Sequence, residues 1–175
     1  VGSRVLEGGH GSAGLAMHIA NVLGNTGTLI SVEIRDEHAQ VGKLNMDRLE
    51  EILPEFPDWH LFVGNLVDVE EKVKQICGEI DAAIIDMAEP WTVVNSIIPT
   101  LRIGGRIACY CPTTSQLEKS WNACENAGLE IEWAGEIIER KWSKASKGGV
   151  RPGNQPMGHT AFLMIAAKIA SEEEE

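Results

Sequence analysis

The segment Val5-Leu6-Glu7-Gly8-Gly9-His10-Gly11-Ser12-Ala13-Gly14 most narrows what this chain can fold into. A short β-type run, Arg4-Val5-Leu6, ends in an acid and a glycine-rich turn, and a helix-patterned stretch follows. Glycine tolerates positive φ and lets the backbone come close to a ligand, while a helix start presents free N–H groups. Strand, glycine turn and helix in that order open the nucleotide site of a Rossmann-like fold. Gly9-x-Gly11-x-x-Gly14, with Glu33 about twenty residues on, also fits a dinucleotide fingerprint. The turn alone leaves the kind of nucleotide open.

The rest of the chain alternates strand and helix patterns. Leu15, Ile19, Val22 and Leu23 recur at helical spacing until Gly24-Asn25-Thr26-Gly27 closes that helix. Thr28 to Ile34 reads as a buried strand, Asp36 caps a helix to about Leu53, and Trp59 to Leu66 reads as a third strand. After a short helix or turn over Val67 to Cys77, the apolar run Ile80 to Met87 fits a parallel strand buried on both faces. A helix is predicted over Trp91 to Leu101, then a strand Arg106 to Cys111 started by Gly104-Gly105. Ser115-Gln116-Leu117-Glu118 reads as a capping box, with Leu117, Trp121 and Cys124 as the apolar stripe behind it. Leu129, Ile131 and Trp133 alternate with Glu130 and Glu132 as a strand does. Ser143 to Met157 reads as a loop, and Thr160 to Ile169 as the last strand. Five βα-type units and two closing strands predict α/β architecture: a seven-stranded, mostly parallel sheet with a C-terminal antiparallel hairpin strand.

Composition excludes several classes. No apolar run approaches a membrane span, and the N-terminus lacks signal-peptide architecture. Cys77, Cys109, Cys111 and Cys124 show no C-x-x-C spacing, so they read as reduced thiols without a metal, in a cytoplasmic compartment. The net charge of -11 makes the chain a poor general nucleic-acid binder. The basic cluster Arg140, Lys141, Lys144, Lys147 and Arg151 is the credible RNA-facing patch. Glu172 to Glu175 end the chain as a solvated acidic tail, which leaves residues 1–170 as one globular domain. Because Val1-Gly2-Ser3 runs almost at once into a core strand, that domain reads as cut from a longer chain.

The closing antiparallel strand separates the cofactors, since dehydrogenase sheets are usually all parallel. An acid-x-Gly-x-Gly turn and such a last strand are similar to those of class I S-adenosylmethionine (SAM) methyltransferases. More specific segments are Ile85-Asp86-Met87-Ala88-Glu89-Pro90-Trp91, Tyr110-Cys111-Pro112-Thr113 with Gln116, and Gly158-His159-Thr160-Ala161-Phe162-Leu163. With Val32-Glu33-Ile34-Arg35 and Gly104-Gly105-Arg106, they make Val5 through Ile169 resemble the tRNA adenine-N1 methyltransferases that modify the T-loop.

The resemblance implies a SAM site built from Leu6, Glu7, Gly8, Gly9, His10, Gly11, Ser12, Glu33, Ile34, Asn65, Leu66 and Asp86. The chemistry agrees. Leu6 to Gly9 offer a backbone cradle for the methionine end, and Glu33 offers a ribose diol two acceptors. Asn65 stands where an adenine amino group wants an acceptor and the family usually has Asp, so charge assistance is absent. Asp86 is the expected catalytic acceptor for the adenine amine, with Tyr110 lining the same pocket and able to stack on the base. Pro90-Trp91 shapes the pocket wall, and His159 is expected to tie the last strand to the sheet.

Departures from the family pattern are His10 in place of a small residue and Ala13 where glycine is common. A bulky His10 is expected to crowd the methionine carboxylate or to hydrogen-bond it, and with Asn65 these changes would weaken SAM binding. The resemblance further implies tRNA as partner and a homotetramer. Rival readings are a methyltransferase acting on protein or a small molecule, a silent SAM-binding partner subunit, and an NAD-binding protein.

Overall fold

The structure is a computed structural model and describes residues 1–153 and 161–170. Parallel strands β1 (Arg4–Gly8), β2 (Thr28–Glu33), β3 (Asp58–Val63), β4 (Ile80–Ile85) and β5 (Leu101–Cys111) alternate with helices. The helices are α1 (Gly14–Leu23), α2 (Asp36–Ile52), α3 (Glu70–Ile76), α4 (Val94–Ile97) and α5 (Thr114–Asn126). After α5 come β6 (Leu129–Gly135), β7 (Trp142–Lys144), β8 (Val150–Pro152) and β9 (Phe162–Lys168). The seven-stranded sheet runs β3-β2-β1-β4-β5-β9-β6, with β9 antiparallel to both neighbours. That is the expected fold class.

The period of two along each strand divides the core. On β1 and β2, Leu6, Ile30 and Val32 face one apolar layer with Val73, Val94, Ile97 and Cys124. Val5 and Leu29 face the other, closed by Ala16, Ala20 and Leu23 of α1 and Met46 of α2. The chain winds outward from β1 to β3, then returns to β4 on the other flank of β1. The C-terminal ends of β1 and β4 therefore bracket the switch point, where open α/β sheets leave a crevice.

Several local expectations are corrected. The helix predicted over Trp91 to Leu101 is broken into a 3-10 turn Pro90–Thr92, the single-turn α4 and a second 3-10 turn Ile98–Thr100. Pro99 lacks an N–H, so the α ladder cannot run through it. Gly104-Gly105 lie inside β5, which already starts at Leu101, next to a register shift between Ile80 and Ala82. The third strand stops at Val63, because Asn65 instead caps a 3-10 turn Leu66–Asp68. The capping box sits two residues earlier than expected: Thr113 is the N-cap, and Gln116 reaches back to it. Part of the predicted loop 143–157 is a two-stranded hairpin in which Trp142 pairs Pro152 and Lys144 pairs Val150. His159 and the acidic tail 171–175 lie outside the described residues.

Among those residues, no helix is long and apolar enough to cross a membrane, and no group of three or more His, Cys, Asp or Glu could hold a metal.

Candidate functional site

The turn after β1 is held from three sides. Gly9 and His10 N–H both donate to the Val32 carbonyl, at 3.0 and 3.2 Å, and Gly11 N–H donates to Glu33 Oε2 at 2.8 Å. Asp86 N–H donates to the Gly8 carbonyl at 2.8 Å, which joins the turn to the end of β4. Gly9 has φ +88°, and a Cβ there would overlap the Asp86 carbonyl oxygen. Only glycine allows that approach. Ala13 takes φ 68° as the N-cap of α1, a left-handed conformation that disfavours a side chain by about 1–2 kcal/mol. This explains why glycine suits that position.

A cleft of about 340 Å³ opens beyond the turn, lined by Gly9, Glu33, Ile34, Asn65, Leu66 and Asp86 among others. Six of the expected cofactor residues thus share one wall. Leu6, Glu7, Gly8, His10, Gly11 and Ser12 do not line it; they stand behind it or beside it. Leu6 and Glu7 are fully buried. Gly8 gives room to Leu66, whose methyl would lie 2.5 Å from an added Cβ. Arg35, Gly64, Met87 and Ala88 also line the cleft, and the expectation did not include them. Their nearness to Glu33, Asn65 and Asp86 along the chain was the available signal.

Glu33 is nearly buried, and its two oxygens accept from Gly11 N–H, Arg35 N–H and Arg35 Nε. Burial pushes its carboxyl up, but these donors outweigh burial and hold it below its ordinary value. A carboxylate offers about four acceptor positions, so one remains for a further donor. Asn65 Oδ1 already accepts from Val67 N–H at 3.2 Å, and an adenine amine would have to share that oxygen.

Asp86 opens onto the cleft, and its carboxylate has no hydrogen-bond partner among the described residues. Burial of part of the group, and then the nearby charge of Glu7, raise its proton affinity above the ordinary. Asp86 also lines a second, apolar hollow of about 310 Å³ with Leu15, Ile84, Ala108, Tyr110, Trp133 and Leu163. The structure therefore brings Asp86 and Tyr110 into one hollow, and Asp86 also lines the cleft beside it. Trp91 stands outside both, with Lys119 Nζ 4.6 Å from its ring centre. Gln116 Nε2 donates to the Ala88 carbonyl at 3.0 Å and ties the loop after Asp86 to the start of α5.

His10 does not reach the cleft. Its side chain is fully buried and hydrogen-bonds Glu7 Oε2 through Nδ1 at 2.8 Å. The cations Arg140, Lys141, Lys144, Lys147 and Arg151 are all exposed, on and beside the β7–β8 hairpin.

Comparison with known proteins adds to this geometry. The family described as tRNA methyltransferase complex GCD14 subunit matches residues 1–147. The chain is 32% identical to the tRNA (adenine(57)-N(1)/adenine(58)-N(1))-methyltransferase TrmI of Methanocaldococcus jannaschii, over 94% of this chain and 64% of that relative. It spans less than two thirds of that relative's length. A SAM-dependent O-methyltransferase from Thermotoga maritima has a similar fold, with a TM-score of 0.80 at 23% identity, over 98% of this chain and 61% of that one. The tRNA (m1A58) methyltransferase TrmI of Aquifex aeolicus is also similar, with a TM-score of 0.74 at 23% identity, over 97% and 63%.

Proposed function

Because the chain belongs to the family of the tRNA methyltransferase complex GCD14 subunit, we propose that it transfers a methyl group from SAM to N1 of an adenosine in the tRNA T-loop. The observation that carries this reading is the position of Asp86, on the shared wall of the cleft beyond the glycine turn and the apolar hollow. One side suits a cofactor and the other a flat base.

The residues present fit SAM. Gly9 packs against the end of β4, where a Cβ would overlap the Asp86 carbonyl oxygen, and so brings bare backbone into the wall of the cleft. Glu33 keeps an acceptor position for the ribose diol, while Ile34 and Leu66 give apolar walls for an adenine. When bound, the cofactor supplies a methyl group on a sulfonium that leaves as a thioether. Asp86 accepts a hydrogen bond from the target's exocyclic amine and so points the N1 lone pair into the cleft. Alkylation at N1 makes that amine acidic, and a carboxylate of raised proton affinity is matched to receiving its proton. Tyr110 lies along the hollow where the base would rest.

The tRNA backbone is assigned to the hairpin. Residues 140–152 hold five of the 15 Lys and Arg and no acid, in a chain of net charge -11. Phosphate contacts dominate nucleic-acid affinity, and this is the segment able to make them. We place the protein in the cytoplasm, with residues 1–170 as a catalytic domain acting in a homotetramer, an arrangement that would multiply a short basic patch.

The test is nucleoside mass spectrometry on unmodified tRNA incubated with SAM and the protein. N1-methyladenosine is the expected product. Methyl transfer to no nucleoside, or to another position of the base, would overturn the reading.

A further inference from the structure

Beneath the glycine turn lies a buried polar pair that the proposed reaction does not use. Glu7 and His10 are both shut away from solvent, with Nδ1–H of His10 donating to Glu7 Oε2 at 2.8 Å. Glu7 Oε1 and His10 Nε2 have no partner among the described residues. Buried polar atoms are normally satisfied, so an unsatisfied pair needs a reason to persist. The imidazole is also gripped from behind. Its centre lies 5.7 Å from the ring of Trp59 on β3, and it rests against Gly42 on α2. A Cβ at Gly42 would overlap two atoms of the His10 ring and come within 2.7 Å of the Gly11 carbonyl. Gly42 lies within a helix, where glycine disfavours the fold by roughly 0.5–1 kcal/mol relative to alanine. The space it leaves is filled by this ring and this turn.

We propose that His10 is a positioning residue for the cofactor: it locks the turn against α2 and holds Glu7 in place. The proposal rests on the reading of the cleft as a SAM site. Gly9 N–H and His10 N–H are consecutive donors to the Val32 carbonyl, so a fixed imidazole fixes the backbone on either side of Gly9. Glu7 is the residue whose charge is felt by Asp86, so the same contact sets where that charge sits. Ordering the turn beforehand spares the ligand the cost of ordering it, which is the usual origin of affinity without new contacts. A small residue at this position would leave the space beside Gly42 unfilled and the Glu7 carboxylate without its donor.

The experiment measures S-adenosylhomocysteine affinity by calorimetry for wild type, His10→Ala, His10→Gln and Gly42→Ala. It also follows hydrogen exchange of the 9–12 amides in the ligand-free protein. With the turn left to be ordered by the ligand, His10→Ala is expected to lose about tenfold or more in affinity. Its turn amides should exchange faster, and in turnover the loss should appear in the KM for SAM and not in kcat. His10→Gln, which restores a donor to Glu7, should recover most of the affinity. Gly42→Ala presses on the ring and the turn from outside the cleft and should weaken binding in the same direction. If variants melt at lower temperature yet bind as wild type does, His10 only fills the core and the proposal is overturned. If wild type itself does not bind S-adenosylhomocysteine, the cofactor reading fails first and takes the proposal with it. Should His10→Ala not fold, Gly42→Ala and His10→Gln decide.

Discussion

Two aspartates at opposite ends of β4 have opposite surroundings. Asp81, near its start, accepts from Arg4 N–H at 2.7 Å, from Arg4 Nε at 3.1 Å and from Arg102 Nε at 2.5 Å. The Arg4 side chain, helped by its N–H and by Arg102 and opposed by burial, holds the Asp81 carboxyl well below the usual carboxylate range. Asp86, just past the strand's end, has no such partner among the described residues, and burial and Glu7 push it the other way. One acid is consumed by the fold and the other is kept available. The comparison separates an acid that holds the sheet together from one proposed to meet a substrate: Asp81 is compensated by two arginines, whereas the shift of Asp86 has only raising causes.

The largest expected effect breaks the pair apart by function. Asp86→Ala should lower turnover by about a hundredfold or more, the scale for a group engaged in proton transfer at the transition state. S-adenosylhomocysteine affinity should stay within a few-fold, because Gly9, Glu33, Ile34 and Leu66 form the rest of that wall. Asp81→Ala should leave turnover per folded molecule unchanged. Steady-state kinetics beside calorimetry on both variants would check this. Equal losses in the two would remove the distinction.

Asp86 and Glu33 are legible in the sequence, whereas the groups that surround them are not. Asp86 closes a near-continuous apolar run and Glu33 closes another, so period and strand-end position announce both. The glycine turn and the final antiparallel strand likewise follow from local pattern. The niche of His10 does not, because it is built by Gly42 and Trp59, residues that only the packing of α2 and β3 brings beside the turn. Asn65 reads as free to meet a ligand, but its oxygen is drawn into capping the next turn. Pro99 does not erase the inward apolar spacing of Val94, Ile97 and Leu101, so the helix period survives where the helix itself is broken. The β7–β8 hairpin escapes pattern reading because each strand has only three residues, flanked by the glycines and prolines that ordinarily mark loops.

A smaller effect tests Asp81 as a structural acid. Asp81→Asn removes a carboxylate shared by two arginines, and charge-assisted hydrogen bonds contribute about 1.5–3 kcal/mol when shielded. The Arg4 and Arg102 side chains are 33% and 42% exposed, so solvent screening reduces the expected loss to about 1 kcal/mol. The pH dependence follows from the direction of the shift. A carboxyl depressed on folding stabilises fully above its unfolded pKa of about 3.9 and loses that contribution as pH falls towards the folded value. Urea midpoints of wild type and variant should therefore differ at pH 7 and converge on acidification. A difference that persists unchanged into acid would mean that packing, not charge, is what Asp81 provides.

The smallest effect has the opposite sign and is the sharper test of the comparison. Asp86 is raised on folding, so ionising it disfavours the native state; the penalty is present above the folded pKa and vanishes as pH falls below about 3.9. Asp86→Asn keeps the shape and removes the charge that opposes Glu7. Because the carboxylate opens onto the cleft, screening limits the gain to a few tenths of a kcal/mol, reaching about 1 kcal/mol at most. The urea midpoint should thus rise at pH 7, and the advantage over wild type should shrink in acid. The two asparagine variants would then move stability in opposite directions at neutral pH while both differences fade on acidification. A loss of stability in Asp86→Asn at pH 7 would show that the carboxylate is itself a structural acceptor, and an uncompensated charge would no longer distinguish the two ends of β4.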